Sequence, residues 1–346
     1  MLVDSPAEVR AAAAAPPQRV AARSLGLLVS VVILVLVALA SIAVGAKELS
    51  LTQVWHGLFQ DSGTYGDVVV GERLSRTVLG LLAGAALGLA GAVLQAVTRN
   101  PLADPGILGI NAGASAAVVT AITFFGVTSL SGYVWFAFFG AAAVGVLVWF
   151  LGGSRGATPV RLALAGTAIS AALYGYLQAA MIMDGAALGK MRFWTVGSLT
   201  SATDAVIVQV LPFFVIGTVV ALLLARPLNA LEMGDDTARA LGAGLNRTRA
   251  LALFSATVLC GAATAACGPI MFVGLMVPHV VRSFTGPDLR WILPYATVLS
   301  PVLLLGADVV GRVVARPAEL QVGVVTAIIG GPVFILLVRR RRTAQL

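Results

Sequence analysis

Residues 25–44 read LGLLVSVVILVLVALASIAV, twenty residues without one charge. At 1.5 Å per residue a helix of this length is about 30 Å long, the thickness of the hydrocarbon core of a bilayer. Similar stretches recur at about 77–97, 106–125, 133–151, 162–183, 205–225, 250–267, 270–281, 291–308 and 322–338. Of the 346 residues, 59% are hydrophobic and only 11% charged, where a soluble chain carries about 25% charge. One globular core cannot hide that apolar surplus, so lipid is the solvent for much of the surface. In lipid only helices and closed barrels satisfy their backbone groups. Barrel strands alternate over about ten residues, and these runs are continuous. The expected fold is therefore all-α, a polytopic membrane protein of about ten transmembrane helices. Residues 25–340 form the membrane domain, between an Ala/Pro-rich disordered tail (1–24) and a short tail (341–346). A cleaved signal peptide is the rival reading of 25–44, because Val44-Gly45-Ala46 could pass as a cleavage site. Twenty apolar residues are long for a signal core, which favours a retained helix.

Ten spans put both termini on one side. With that side inside, the inner segments hold sixteen of the 23 Lys and Arg residues and the outer segments seven. Excess Lys and Arg mark the cytoplasmic side, so both termini are expected in the cytoplasm. The net charge of +8 is a topology signal and not a nucleic-acid footprint. In the first outer loop Leu51, Val54, Trp55, Leu58 and Phe59 recur at helical spacing. They predict a short helix, either along the membrane surface or folded onto its neighbours. Two Gly/Pro-rich breaks, at 100–106 and 268–279, follow the second and seventh spans. Breaks at corresponding places in two halves point to an inverted repeat pairing spans two to five with seven to ten.

Few residues offer chemistry. Cys260 and Cys267 are seven apart in one apolar run, about 10 Å apart on a helix and too far for a disulfide. They read as small core residues. His56 and His279 lie on different segments, and no H-x-x-x-H or C-x-x-C spacing occurs, so no metal or haem site is expected. Gly80, Gly84, Gly88 and Gly91 are spaced by four, four and three, a small-residue face for close helix packing. Asp308 is an acid in an apolar run, and Arg312 at i+4 is its expected partner, in preference to a proton relay. For His279, beside Pro278 and Arg282, a structural hydrogen-bonding role is preferred to gating. In the longest inner loop, residues 227–246, Asp235, Asp236 and Thr237 can cap a helix that Gly242 can end. That loop is either a docking element or a solvated connection.

Several motifs then occur in a fixed order: RLSR at 73–76, GAVLQ at 91–95, NPLADPGILG at 100–109, GDDTARALG at 234–242, GLMVPHVVR at 274–282, and ELQVGVVT at 319–326 running into GGP at 330–332. Each is weak alone. Together they closely resemble the permease family of iron–siderophore, haem and vitamin B12 ABC importers, over about residues 25–340. Two positions depart from that pattern: Ser75 and Gln321 stand where the family usually has Pro. The resemblance implies a ten-helix permease of a bacterial inner (plasma) membrane importer that pairs with an identical or homologous permease. Two cytoplasmic ATPase subunits and an extracytoplasmic binding protein complete the assembly. It implies that Arg73, Arg76 and Arg312 receive the binding protein at the outer surface. Glu232, Gly234, Asp235, Arg239, Leu241 and Gly242 would contact the ATPase, and Thr158, Pro159, Val160 and Arg161 would lie near the inner gate. No cofactor is expected on the chain, which is not itself an enzyme. It has no G-x-x-x-x-G-K-[ST], so ATP and Mg would be bound by the partner ATPase.

Two other classes compete. An ion-coupled secondary transporter needs acids near the membrane midplane, and spans two to seven contain none. A haem or metal enzyme of the membrane needs paired ligands on facing helices, which two scattered histidines do not supply.

Overall fold

The computed structural model describes residues 17–60, 63–127, 129–153, 159–240, 242 and 244–343. They form fourteen α-helices and one 3-10 turn (Pro105–Leu108), with no strand among the described residues. The helices are α1 (Pro17–Ala43), α2 (Leu51–Phe59), α3 (Tyr65–Thr98), α4 (Ile110–Phe125), α5 (Leu130–Gly153), α6 (Pro159–Met183) and α7 (Gly185–Trp194). Then come α8 (Asp204–Leu223), α9 (Ala225–Glu232), α10 (Asp235–Ala240), α11 (Leu245–Cys267), α12 (Val273–Thr285), α13 (Leu289–Val314) and α14 (Val322–Thr343). Seven are long and apolar enough to cross a membrane: α1, α3, α5, α6, α8, α11 and α13. Apolar runs in α4 and α14 are shorter, and α12 has 13 residues.

The second apolar run is the middle of a longer element. Helix α3 has 34 residues, about 51 Å at helical rise, so it outruns the membrane by several turns. It is the central helix and packs against α8, α11, α12 and α13. Its glycines make this possible. A Cβ added to Gly84 would stand 2.6 Å from Pro301 Cα, and one on Gly88 2.8 Å from the Ala296 carbonyl oxygen. Gly91 meets Gly274 of α12 backbone to backbone. The small-residue face is thus a packing surface, as its spacing predicts.

The expected tail is shorter than 1–24. Its residues 17–24 are helical, because Pro17 suits a first helical turn and good helix formers follow. The remainder of that tail, and residues 344–346, lie outside the described residues. Helix α2 starts at Ser50 in a capping box with Gln53. Val54 and Leu58 pack on Ile42 and Val70, while Leu51, Trp55 and Phe59 are exposed. Cys260 and Cys267 are free thiols in the core.

Candidate functional site

At one end of the bundle α8 passes through Leu224 into α9 and α10. Gly234 (φ +109°) turns the chain between α9 and α10, and Gly242 (φ +77°) follows α10. Both use a backbone region that only glycine enters without strain. Leu228 and Leu231 of α9 are fully buried, and Leu231 packs with Ala238 and Leu245. Polar contacts fix the rest. Asn229 Nδ2 donates to Asp288 Oδ1 at 2.7 Å, and its Oδ1 accepts from the Leu289 amide at 2.8 Å. Arg282 at the end of α12 pairs with Glu232 at 2.9 Å. Asp235 holds two guanidiniums, Arg249 at 2.9 Å and Arg99. Burial alone would raise the Asp235 carboxyl, but the hydrogen bonds and charges of Arg99 and Arg249 outweigh it and hold the group below its ordinary range. Arg99 also donates from Nε to the Leu231 carbonyl at 2.8 Å. It is the left-handed cap of α3 (φ +49°).

Two of the residues expected at the ATPase have partners within the chain: Glu232 and Asp235 are partly exposed, and their ion pairs fasten the element. The outward face carries Met233, Asp236, Thr237, Arg239, Ala240 and Gly242, all exposed, with half-buried Gly234 at its edge. Among the described residues Arg239 pairs only with exposed Asp236, at 2.9 Å. Such surface pairs add at most about 1 kcal/mol. Leu241 lies outside the described residues. Sequence reasoning missed Arg99, Arg249, Arg282, Asn229 and Asp288, since no local spacing signals them.

Both Gly/Pro breaks open onto one cavity of about 850 Å³. In the first, Asn100 Oδ1 accepts from the Leu102 amide and Asp104 Oδ1 from that of Gly106, before Gly109 (φ +74°) starts α4. In the second, Gly268 (φ +72°) and Phe272 (φ +71°) lead into α12. Asp104, Asn111, Thr167, Ser170 and Tyr174 give the wall its polar groups. Of the expected gate residues, Pro159 begins α6 and Val160 and Arg161 are exposed in its first turn. Val160 shares a cavity of about 270 Å³ with Thr98 and Asn100 of the first break. Thr158 lies outside the described residues. Helix α6 is as poorly buried as α1, 17% of the most apolar window in each, yet it is the least apolar of the seven long helices and α1 the most. Lipid suits the face of α1. The Thr167, Tyr174 and Gln178 face of α6 suits water or a second protein.

At the opposite end, Arg73, Arg76 and Arg312 come together, but not as exposed cations. They are only 6%, 9% and 1% exposed. Arg73 and Arg76 lie two to three turns inside α3, and α1 and α13 cover them. Asp308 takes Arg76 at 2.7 Å and the expected Arg312 at 2.9 Å. Arg76 also reaches Glu319 at 2.7 Å. Arg312 donates to the carbonyl and hydroxyl of Ser41 at 2.8 and 2.9 Å. Among the described residues Arg73 donates only to the carbonyls of Ile42, Ala43 and Lys47. The three line a cavity of about 480 Å³ with Lys47, Glu72 and Glu319. Ser75 donates to Asp204 Oδ1 at 2.7 Å and so ties α3 to α8.

A polytopic helical subunit with interrupted helices along a polar cavity, and a clamped helical element at one end, has the build of a membrane transport permease. The model of the FecCD transport family matches residues 33–340. The chain is 45% identical over 315 residues to the ferric enterobactin transport system permease protein FepD of Escherichia coli (strain K12), covering 89% of this chain and 93% of that protein. It is 38% identical to the Fe(3+)-citrate import system permease protein YfmD of Bacillus subtilis (strain 168), over 88% and 91%. To the hemin transport system permease protein HmuU of Yersinia pestis it is 36% identical, over 90% and 94%. Among solved structures, a metal-chelate type ABC transporter in an inward-facing conformation matches with TM-score 0.80 at 28% identity, over 90% of this chain and 98% of that one. The chain belongs to the FecCD transport family and is a multi-pass membrane protein.

Proposed function

We propose that the chain is the permease subunit of an ATP-driven ABC importer for iron–siderophore complexes, set in a bacterial plasma membrane with both termini in the cytoplasm. The observation that carries the reading is the α9–α10 element, a rigid exposed face at one end of the bundle in a chain without a phosphate-binding loop. Two cytoplasmic ATPase subunits, which bind ATP and Mg, dock on that face. Arg99 and Arg282 link it to the C-terminal ends of α3, which runs into the first break, and of α12, which follows the second. Movement of the ATPases then reaches the cavity wall through these pairs. The polar, uncovered face of α6 supports a second permease, identical or homologous, with the path between the two copies. Ten crossings, with α4, α12 and α14 completing them inside the bundle, and an inverted repeat accord with the paired breaks.

An extracytoplasmic binding protein delivers the chelate at the far end. Arg73 has only carbonyl partners among the described residues, so its charge projects into the 480 Å³ cavity beside Lys47. An acidic side chain of the binding protein reaching into that cavity meets both; Arg76 and Arg312 position Arg73 through their shared packing. The relatives named for ferric enterobactin and Fe(3+)-citrate support a ferric siderophore as cargo; the hemin permease at 36% identity makes haem the second reading. Reconstitution tests the proposal. The purified chain alone hydrolyses no ATP, and vesicles holding it with its ATPase and binding protein accumulate radiolabelled ferric siderophore only with ATP. Hydrolysis by the isolated chain, or ATP-independent uptake, refutes it.

A further inference from the structure

A further cavity, of about 470 Å³, lies away from the transport path, between α5, α8 and α11. Its wall is apolar and aromatic: Phe138, Trp149, Phe213, Phe254 and Val258, with Thr257 at the floor. The rings of Phe138 and Phe213 close one end, 4.1 Å apart. Helices α5 and α11 run antiparallel, since Gly145 meets Thr257 and Gly261 meets Ala141. Helix α8 likewise runs against α11, with Ser255 donating to the Gly217 carbonyl. All three therefore agree on depth. Phe138, Phe213 and Val258 sit at mid-bundle, and Trp149 and Ala250 sit toward the α9–α10 end. From Phe138 to Trp149 is eleven residues, about 16 Å along the helix. That is one leaflet's share of a hydrocarbon core about 30 Å thick.

Two cations lie at the α9–α10 end of the helices that form this groove. Arg247 is in the first turn of α11, three residues before Ala250 and seven before Phe254, and so on the groove side of the helix. Arg226 is in the first turn of α9, just after α8. Both are exposed, and neither has a hydrogen-bond or ion-pair partner among the described residues. Neighbouring Arg249, in contrast, is held by Asp235. The N-terminus of α11 has no acid in its first turn, so the positive helix end adds to the two guanidiniums.

We propose that this groove binds an anionic phospholipid of the α9–α10-side leaflet, with an acyl chain between α5, α8 and α11 and the phosphate on Arg247 and Arg226. The aromatic wall supplies apolar contact at fixed depth, Trp149 sits at the level of the interface, and the cations select charge. The groove lies apart from the cargo path, and Arg226 joins it to the α9–α10 element. It would brace α8 and α11, the two helices that flank the α9–α10 element.

The test uses the full-length permease in nanodiscs of equal phosphatidylglycerol and phosphatidylcholine, gently delipidated and read by native mass spectrometry. Retained phosphatidylglycerol exceeds phosphatidylcholine by about tenfold or more, the scale two cations give at a charged surface. Arg226→Glu with Arg247→Glu brings the ratio to parity. Ala142→Trp, which fills the groove, removes the retained lipid, while Lys190→Glu, outside the groove, changes nothing. No preference in the wild type, or a preference that survives the double substitution, overturns the proposal. Brominated phosphatidylglycerol located in the wild type by electron microscopy gives a check free of folding effects. Bromine density in the groove supports the site; density only elsewhere, or a second permease copy seated there, overturns it.

Discussion

Replacing Asp308 with alanine removes the one carboxylate that Arg76 and Arg312 share. Asp308 is fully buried and the two guanidiniums lie 2.7 and 2.9 Å from it. Without it, among the described residues, Arg312 keeps only Ser41, and Arg76 keeps only Glu319 near the surface. Removing one partner of a buried pair costs about 3–5 kcal/mol, because a charge is left uncompensated. Glu319→Gln is the contrast. Its side chain is 31% exposed, so that pair contributes about 0–1 kcal/mol. At roughly 2–4 °C per kcal/mol, Asp308→Ala lowers the apparent melting temperature by at least about 6 °C and Glu319→Gln by a few degrees at most. Fluorescence-detected size exclusion of the heated, detergent-solubilised protein measures both. Adding Arg312→Met to Asp308→Ala removes one of the stranded charges, and replacing both members of a buried pair is close to neutral. The double variant thus regains more than half of the loss. Equal shifts for Asp308→Ala and Glu319→Gln, or a double variant no better than the single, would refute the reasoning.

Further outcomes follow from the packing and from the clamp. Gly84→Leu drives a side chain into the Pro301 backbone, and overpacking costs about 1–3 kcal/mol or more; the same thermal assay shows it, whereas Gly175→Leu, with open space around it, has little effect. Exchanging the charges of Glu232 and Arg282 one at a time lowers transport per ATP hydrolysed, and the double exchange restores it, as measured in proteoliposomes. The Asp235 carboxyl is held below its ordinary range, so its contribution is fully present above the unfolded pKa of about 3.9 and is lost as pH falls through the lower folded value. The stability gap between wild type and Asp235→Asn is accordingly constant from pH 5 to 8 and closes under stronger acid.

The amino-acid sequence determined what depends on short spacing. Uncharged runs of about twenty residues specify membrane helices, because lipid accepts no unpaired backbone. Glycines four apart specify a close-packed face, and Gly242 a left-handed turn. The Asp308–Arg312 pair was legible because i and i+4 meet on any helix. The motif order specified the family. What it left open are contacts between segments far apart in the chain. Arg76 reaches Asp308 across 232 residues and Arg99 reaches Asp235 across 136, and only helix packing decides such encounters. The motif arginines therefore read as surface cations when they are buried, Arg76 and Arg312 on one shared carboxylate, and the partners that Glu232 and Asp235 find within the chain went unread. A charge's partner is set by which helices lie side by side, and in this chain the glycine face of α3 decides that by bringing α12 and α13 against it.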